Sequence, residues 1–107
     1  MAEQRRYKRV PFRRPVRFRM EHGKINESCV SRDLSEGGLR IRAEHFIPLR
    51  EQIFTQFPLE GAHQVHLEGQ VVWARRIPHS DSYLIGVEFG EKDINACPRD
   101  KIQRYIV

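Results

Sequence analysis

Two short stretches hold the residues of this chain best suited to chemistry. The first is "RRYKR", residues 5–9, with Arg5 and Arg9 at its ends and Arg6 and Lys8 between them. A guanidinium is planar and always charged; it pairs phosphate through two parallel hydrogen bonds and stacks on flat rings. Two such groups on one short segment suit a ligand that carries both phosphates and bases. A plainer reading is a solvated basic tail whose salt bridges are worth about 0–1 kcal/mol each. The second stretch is "DLSEGG", residues 33–38. An ionised Asp33 only accepts hydrogen bonds and takes two parallel donors. The N1–H and exocyclic amino group of a guanine form such a pair. Ser35 donates or accepts beside it, and Gly37 and Gly38 permit close backbone approach. The same residues also make an ordinary turn between two strands.

Other chemistries lack their residues. There is no glycine-rich phosphate loop and no His-x-x-x-His metal pair. His22, His45, His63, His66 and His79 are scattered through loops and polar strand faces. Ser35 is not in a nucleophile elbow. Cys29 and Cys97 lack zinc spacing and read as reduced thiols. The expectation is a binding protein, not an enzyme, with no metal and no cofactor.

The charge distribution favours an anionic ligand at one end. Residues 1–19 hold eight Lys/Arg against one acid, Glu3, for a net +7, while the remainder carries −2. A basic arm on a near-neutral body points to an anionic partner there. A chain of 107 residues suits one domain. No apolar run approaches the roughly 20 residues of a membrane span. "MAEQRRYKR" lacks the apolar region of a secretory signal, so a cytoplasmic location is expected.

The elements that must position these residues follow from period two. Residues 1–10 have no apolar periodicity and read as a flexible basic arm, with 11–107 as the folded domain. Val16, Phe18 and Met20 alternate with Arg17 and Arg19, and Leu39 and Ile41 with Arg40 and Arg42, as half-buried strands do. Ile25 to Asp33 is another strand, and "QIFTQF" a further one that ends at Pro58. Val65, Leu67, Val71 and Trp73 share one parity in a long strand, with Gly69 as the place for a bend or bulge. Tyr83, Ile85, Val87 and Phe89 form the sixth strand. Gly86 lies on its other face, where a backbone or side chain can approach closely. After Pro98, Ile102, Tyr105 and Ile106 follow helical spacing. The expected fold is mainly β: a six-stranded antiparallel β-barrel with a C-terminal α-helix and a flexible N-terminal arm.

Taken together, the ordered pair of motifs resembles the PilZ domain family, bacterial receptors for the second messenger cyclic di-GMP. The family pattern is R-x-x-x-R on an N-terminal arm, then (D/N)-x-S-x-x-G on a strand and turn. "GQVVWARR" and "SYLIGVEF" look like the family's late strands. The resemblance implies that Arg5 and Arg9 hold phosphates and stack on guanine, and that Arg6 adds a contact. It further implies that Asp33 and Ser35 read a guanine edge and that Gly38 leaves room for the ligand. Trp73 stands where some members line the pocket with an aromatic ring, although its parity groups it with the core. Gln4, just before the first motif arginine, is neither bulky and apolar nor basic. One or two cyclic di-GMP per chain therefore both fit, as do a monomer and a ligand-dependent dimer. Binding would order the arm and signal to a partner protein in motility, biofilm or exopolysaccharide control. Two rivals stand beside this reading. One is a PilZ-like interaction module of type IV pilus biogenesis that binds no nucleotide. The other is a small RNA or single-stranded DNA barrel, which usually shows aromatics along an exposed strand face.

Overall fold

The structure, a computed structural model, describes residues 8–20, 26–60, 63–90 and 102. Seven antiparallel strands follow in chain order: β1 (Arg9–Pro11), β2 (Pro15–Met20), β3 (Asn26–Ser35), β4 (Gly38–Ala43), β5 (Gln52–Glu60), β6 (His63–Arg76) and β7 (Tyr83–Phe89). Strands β2, β5, β6, β7, β4 and β3 pair in that order, and β3 closes the ring onto β2. Closure removes the exposed strand edges of an open sheet. The expected six-stranded barrel is therefore present.

The alternating positions read from sequence form its interior. Val16 and Phe18, Leu39 and Ile41, Val65, Leu67 and Val71, and Ile85, Val87 and Phe89 are buried in one core, joined by Phe12, Leu34, Ile53 and Phe57. Burying each such side chain contributes about 1.5–3 kcal/mol. Thr55, also buried, satisfies its hydroxyl by donating to the Leu67 carbonyl at 2.9 Å. Ile102 joins the core as well. The rest of the expected terminal helix, with Tyr105 and Ile106, lies outside the described residues.

Four expectations need correction. Arg9 and Val10, assigned to a flexible arm, are in β1 and pair with Ser35 and Leu34 of β3. Strand β1 lies along β3 beyond β2, as a seventh strand outside the ring. Strand β5 does not stop at Pro58. It runs to Glu60 with a register shift there, which accommodates a residue that cannot donate to the ladder. Gly69 pairs regularly with Ile53 and Phe89, and the irregularity in β6 falls between Val71 and Trp73 instead. That shift also moves Trp73 off the core parity, as described below.

Cys29 of β3 is a free thiol. Burial first, and the charge of Glu27 second, push its pKa up to about 12, so it stays protonated and unreactive. Cys97 lies outside the described residues.

Candidate functional site

The β3–β4 hairpin builds the first part of the site. Its turn is Glu36–Gly37, with Ser35 paired to Gly38. The Ser35 hydroxyl accepts the N–H groups of Gly37 at 3.2 Å and Gly38 at 3.1 Å, which holds the turn closed. Gly38 is required for a second reason. A Cβ there would come within 2.5 Å of the Val87 carbonyl oxygen on β7. A two-residue turn fixes the register behind it, so Leu34 faces Leu39 and Asp33 faces Arg40.

Asp33 is therefore gripped from two sides. Arg40 donates to Oδ2 from Nε at 2.7 Å and again from Nη2. Arg9 reaches over from β1 and donates from Nη1 to Oδ1 at 2.6 Å. Asp33 has a side chain only 11% exposed, against 25% for Arg9 and 32% for Arg40. Burial alone would raise its pKa. The hydrogen bonds from Arg40 and Arg9, reinforced by their charges, outweigh burial and hold the carboxyl below its ordinary value. The carboxylate is thus ionised at neutral pH and presents acceptors only.

Ser31 ties the base of the arm to this strand. Its buried hydroxyl donates to the Phe12 carbonyl at 2.6 Å and accepts the Arg14 N–H at 2.9 Å. The Ser31 N–H in turn donates to the Arg14 carbonyl, and the Phe12 N–H to the Arg32 carbonyl. These bonds hold the connector between β1 and β2, and with it the path that brings Arg9 over Asp33.

Two bulges aim the remaining residues. Ser31 pairs with the core residue Ile41, and Asp33 with Arg40, so Arg32 is the extra residue in β3. Val71 pairs with Val87, Trp73 with Gly86, and Ala74 with Ile85, so Val72 is the extra residue in β6. Each insertion shifts the alternation by one. Val71 and Ala74 face the core, while Trp73 is turned outward onto Gly86, half-buried. A Cβ on Gly86 would collide with Nε1 and Cε2 of the indole. The close approach expected at Gly86 is present, and the approaching group is Trp73. Arg75 flanks the indole, its Cζ 5.9 Å from the ring centre.

Arg40 also pairs with Gly86 on β7. Asp33, Arg40, Gly86 and Trp73 therefore form one continuous row on the outer face, across β3, β4, β7 and β6. At about 4.8 Å per strand the row is roughly 14 Å long. With a carboxylate at one end, an indole at the other, and arginines beside and between them, it can take a flat, hydrogen-bonding, negatively charged molecule.

Of the residues singled out in sequence, the structure brings Arg9, Asp33, Ser35 and Gly38 together, with Trp73 at the far end of the row. Arg5 and Arg6 lie outside the described residues, as does Gln4. Arg40 went unremarked in the sequence, where it read only as a polar position on an alternating strand. The signal was present: the tight turn at Glu36–Gly37 places residue 40 across from residue 33. Among the described residues there is no cluster of three metal-ligating side chains and no helix long and apolar enough to cross a membrane.

The sequence matches the PilZ domain over residues 3–107. No curated protein matches it. Solved structures share the fold at low identity. One is the Bacillus subtilis inhibitor of motility MotI/DgrA, at TM-score 0.77 and 21% identity, covering 98% of this chain and 51% of that one. The K. pneumonia MrkH–c-di-GMP complex gives 0.76 and 18%, covering 98% and 52%. The PilZ domain of YcgR from Escherichia coli, solved with c-di-GMP, gives 0.73 and 15%, covering 97% and 89%. The chain thus spans about half the length of MotI/DgrA and MrkH.

Proposed function

The chain belongs to the PilZ domain family, and on that footing we propose that it is a receptor for cyclic di-GMP. The observation that carries this reading is the outward row from Asp33 to Trp73, with Asp33 kept ionised between Arg9 and Arg40. The MrkH and YcgR domains solved with c-di-GMP share its fold and support it.

Each residue has a role that follows from its chemistry. Asp33 accepts the N1–H and amino donors of one guanine. The Ser35 hydroxyl lies beside it at the turn. Arg9 and Arg5 hold the phosphates and stack on a base, and Arg6 adds a further contact. Trp73 offers its indole as a wall, and Gly38 keeps β4 and β7 close enough to shape the floor. A dianionic ligand gains from this cationic setting because burial between arginines weakens solvent screening.

Strand β1 holds Arg9 over Asp33 and so anchors the motif arginine nearest the barrel. A ligand that orders backbone on binding must repay about 1–2 kcal/mol for each residue it orders. Hydrogen bonds to charged groups return about 1.5–3 kcal/mol each. Several must form together, and binding is therefore all or none. The product of binding is a changed surface, not a reaction. A partner protein that prefers the bound form reads it, as an adaptor in motility, biofilm or exopolysaccharide control in the cytoplasm would require.

A fluorescence titration tests the reading, because Trp73 is the only tryptophan. Cyclic di-GMP should change its emission saturably, and GTP should leave it unchanged. No change with either, together with no change in the mass of the complex, would overturn it.

A further inference from the structure

We infer that Arg40 is a ligand-binding residue whose guanidinium leaves Asp33 for the nucleotide when a guanine takes its place on the carboxylate. The inference rests on the cyclic di-GMP reading and adds to it a residue outside both motifs.

Both oxygens of Asp33 have protein donors. Oδ1 takes one from Arg9, and Oδ2 takes two from Arg40. A guanine edge presents two parallel donors and engages both oxygens of a carboxylate. It competes most directly with Arg40, which supplies both donors at Oδ2 and lies beside Asp33 on the neighbouring strand. Arg9 holds the other oxygen with a single nitrogen from above.

The released guanidinium has somewhere to go. Arg40 stands between Asp33 and Gly86 in the outward row, and the group lying over Gly86 is an aromatic ring against which a guanidinium can pack. The next group along is the indole of Trp73. A base paired to Asp33 and reaching towards Trp73 must therefore lie across Arg40. An arginine under a flat base stacks on it or turns its fork to the adjoining phosphate. In the phosphate pose the half-buried cation exchanges one anionic partner for another, and in the stacked pose the π face of the base takes the place of the carboxylate. The side chain is about one-third exposed, enough to swing without disturbing the core.

The test is a calorimetric titration of the full chain with cyclic di-GMP, comparing wild type, Arg40→Ala and Arg40→Lys. Fold is checked in each by circular dichroism and thermal unfolding. The expected result is at least a tenfold loss of affinity in Arg40→Ala at unchanged secondary structure. Arg40→Lys should fall between the two, because an ammonium keeps the charge and loses the planar fork. A second readout is the Trp73 emission change, which should shrink in Arg40→Ala even at saturating ligand, as a guanidinium no longer moves towards the indole. An Arg40→Ala variant that binds as tightly as wild type, or more tightly, would overturn the inference. The second case would make Arg40 a simple competitor for Asp33. If wild type itself binds no cyclic di-GMP, the nucleotide reading fails, and this inference with it.

Discussion

Arg9 Nη1 lies 2.6 Å from Asp33 Oδ1, a contact that joins residues 24 apart in sequence and unites the two motifs. The pair is partly buried and shares its carboxylate with Arg40. Removing Arg9 leaves Asp33 still paired to Arg40 through Oδ2, at a partly exposed position, so the barrel should survive. Arg9→Ala is expected to lower cyclic di-GMP affinity at least tenfold, about 1.4 kcal/mol, with little change in unfolding temperature. Arg5→Ala should behave alike, since neither arginine alone can hold the arm. Calorimetry beside thermal unfolding checks both.

Asp33 should also make stability depend on pH. Its native pKa lies below its unfolded value, which is about 3.9. The stabilisation is therefore fully present above that value and is lost as pH falls through the native pKa. Urea unfolding of wild type and Asp33→Asn should show a constant gap from pH 7 to about pH 5. The gap should close in more acidic solution, where wild type also carries a neutral side chain. A gap independent of pH would show that the arginine pairs do not set the charge of Asp33.

Ser31 touches no proposed ligand group, yet it fixes the connector behind Arg9. Ser31→Ala removes the hydroxyl that bridges the Phe12 carbonyl and the Arg14 N–H and should cost about 1–3 kcal/mol of stability. It should also weaken cyclic di-GMP binding in fully folded protein. Ile53→Val trims the core of β5 and should cost about 0.5–1.5 kcal/mol without touching affinity. Equal binding by both variants would show that the latch is merely structural.

Two of the close approaches to glycine, at Gly38 and Gly86, separate packing from the site. Gly38→Ala drives a Cβ into the Val87 backbone, which cannot yield, and should cost about 1–3 kcal/mol. Gly86→Ala meets a side chain instead. It should push the Trp73 indole off the sheet, shift its emission to the red and cost less stability. Comparing emission spectra and denaturation curves of the two variants decides this.

Much of the barrel was legible because period two survives wherever a strand is regular. Val16 and Phe18, or Ile85 and Val87, announce their inward face directly. The reading fails where a residue is inserted. Val72 shifts the parity of β6, so Trp73, grouped with the core in sequence, stands on the outer face. The two motifs were visible as residue types, and their resemblance to a family was visible with them. Their contact was not, because Arg9 reaches Asp33 only after β1 folds back along β3. Arg40 was missed for a related reason. A polar residue on an alternating strand gains meaning only once the hairpin register sets it opposite a carboxylate. Bulges and long-range register arise from tertiary pairing, and a local pattern does not carry them.

Arg9, Asp33 and the row to Trp73 form the proposed cyclic di-GMP site. The most direct measurement is an isothermal titration of the wild-type chain with cyclic di-GMP, with GTP in parallel. Saturable heat with the cyclic dinucleotide, at one or two per chain, and none with GTP is the predicted result. Absence of heat with cyclic di-GMP at every temperature tried, in protein shown to be folded, would contradict it.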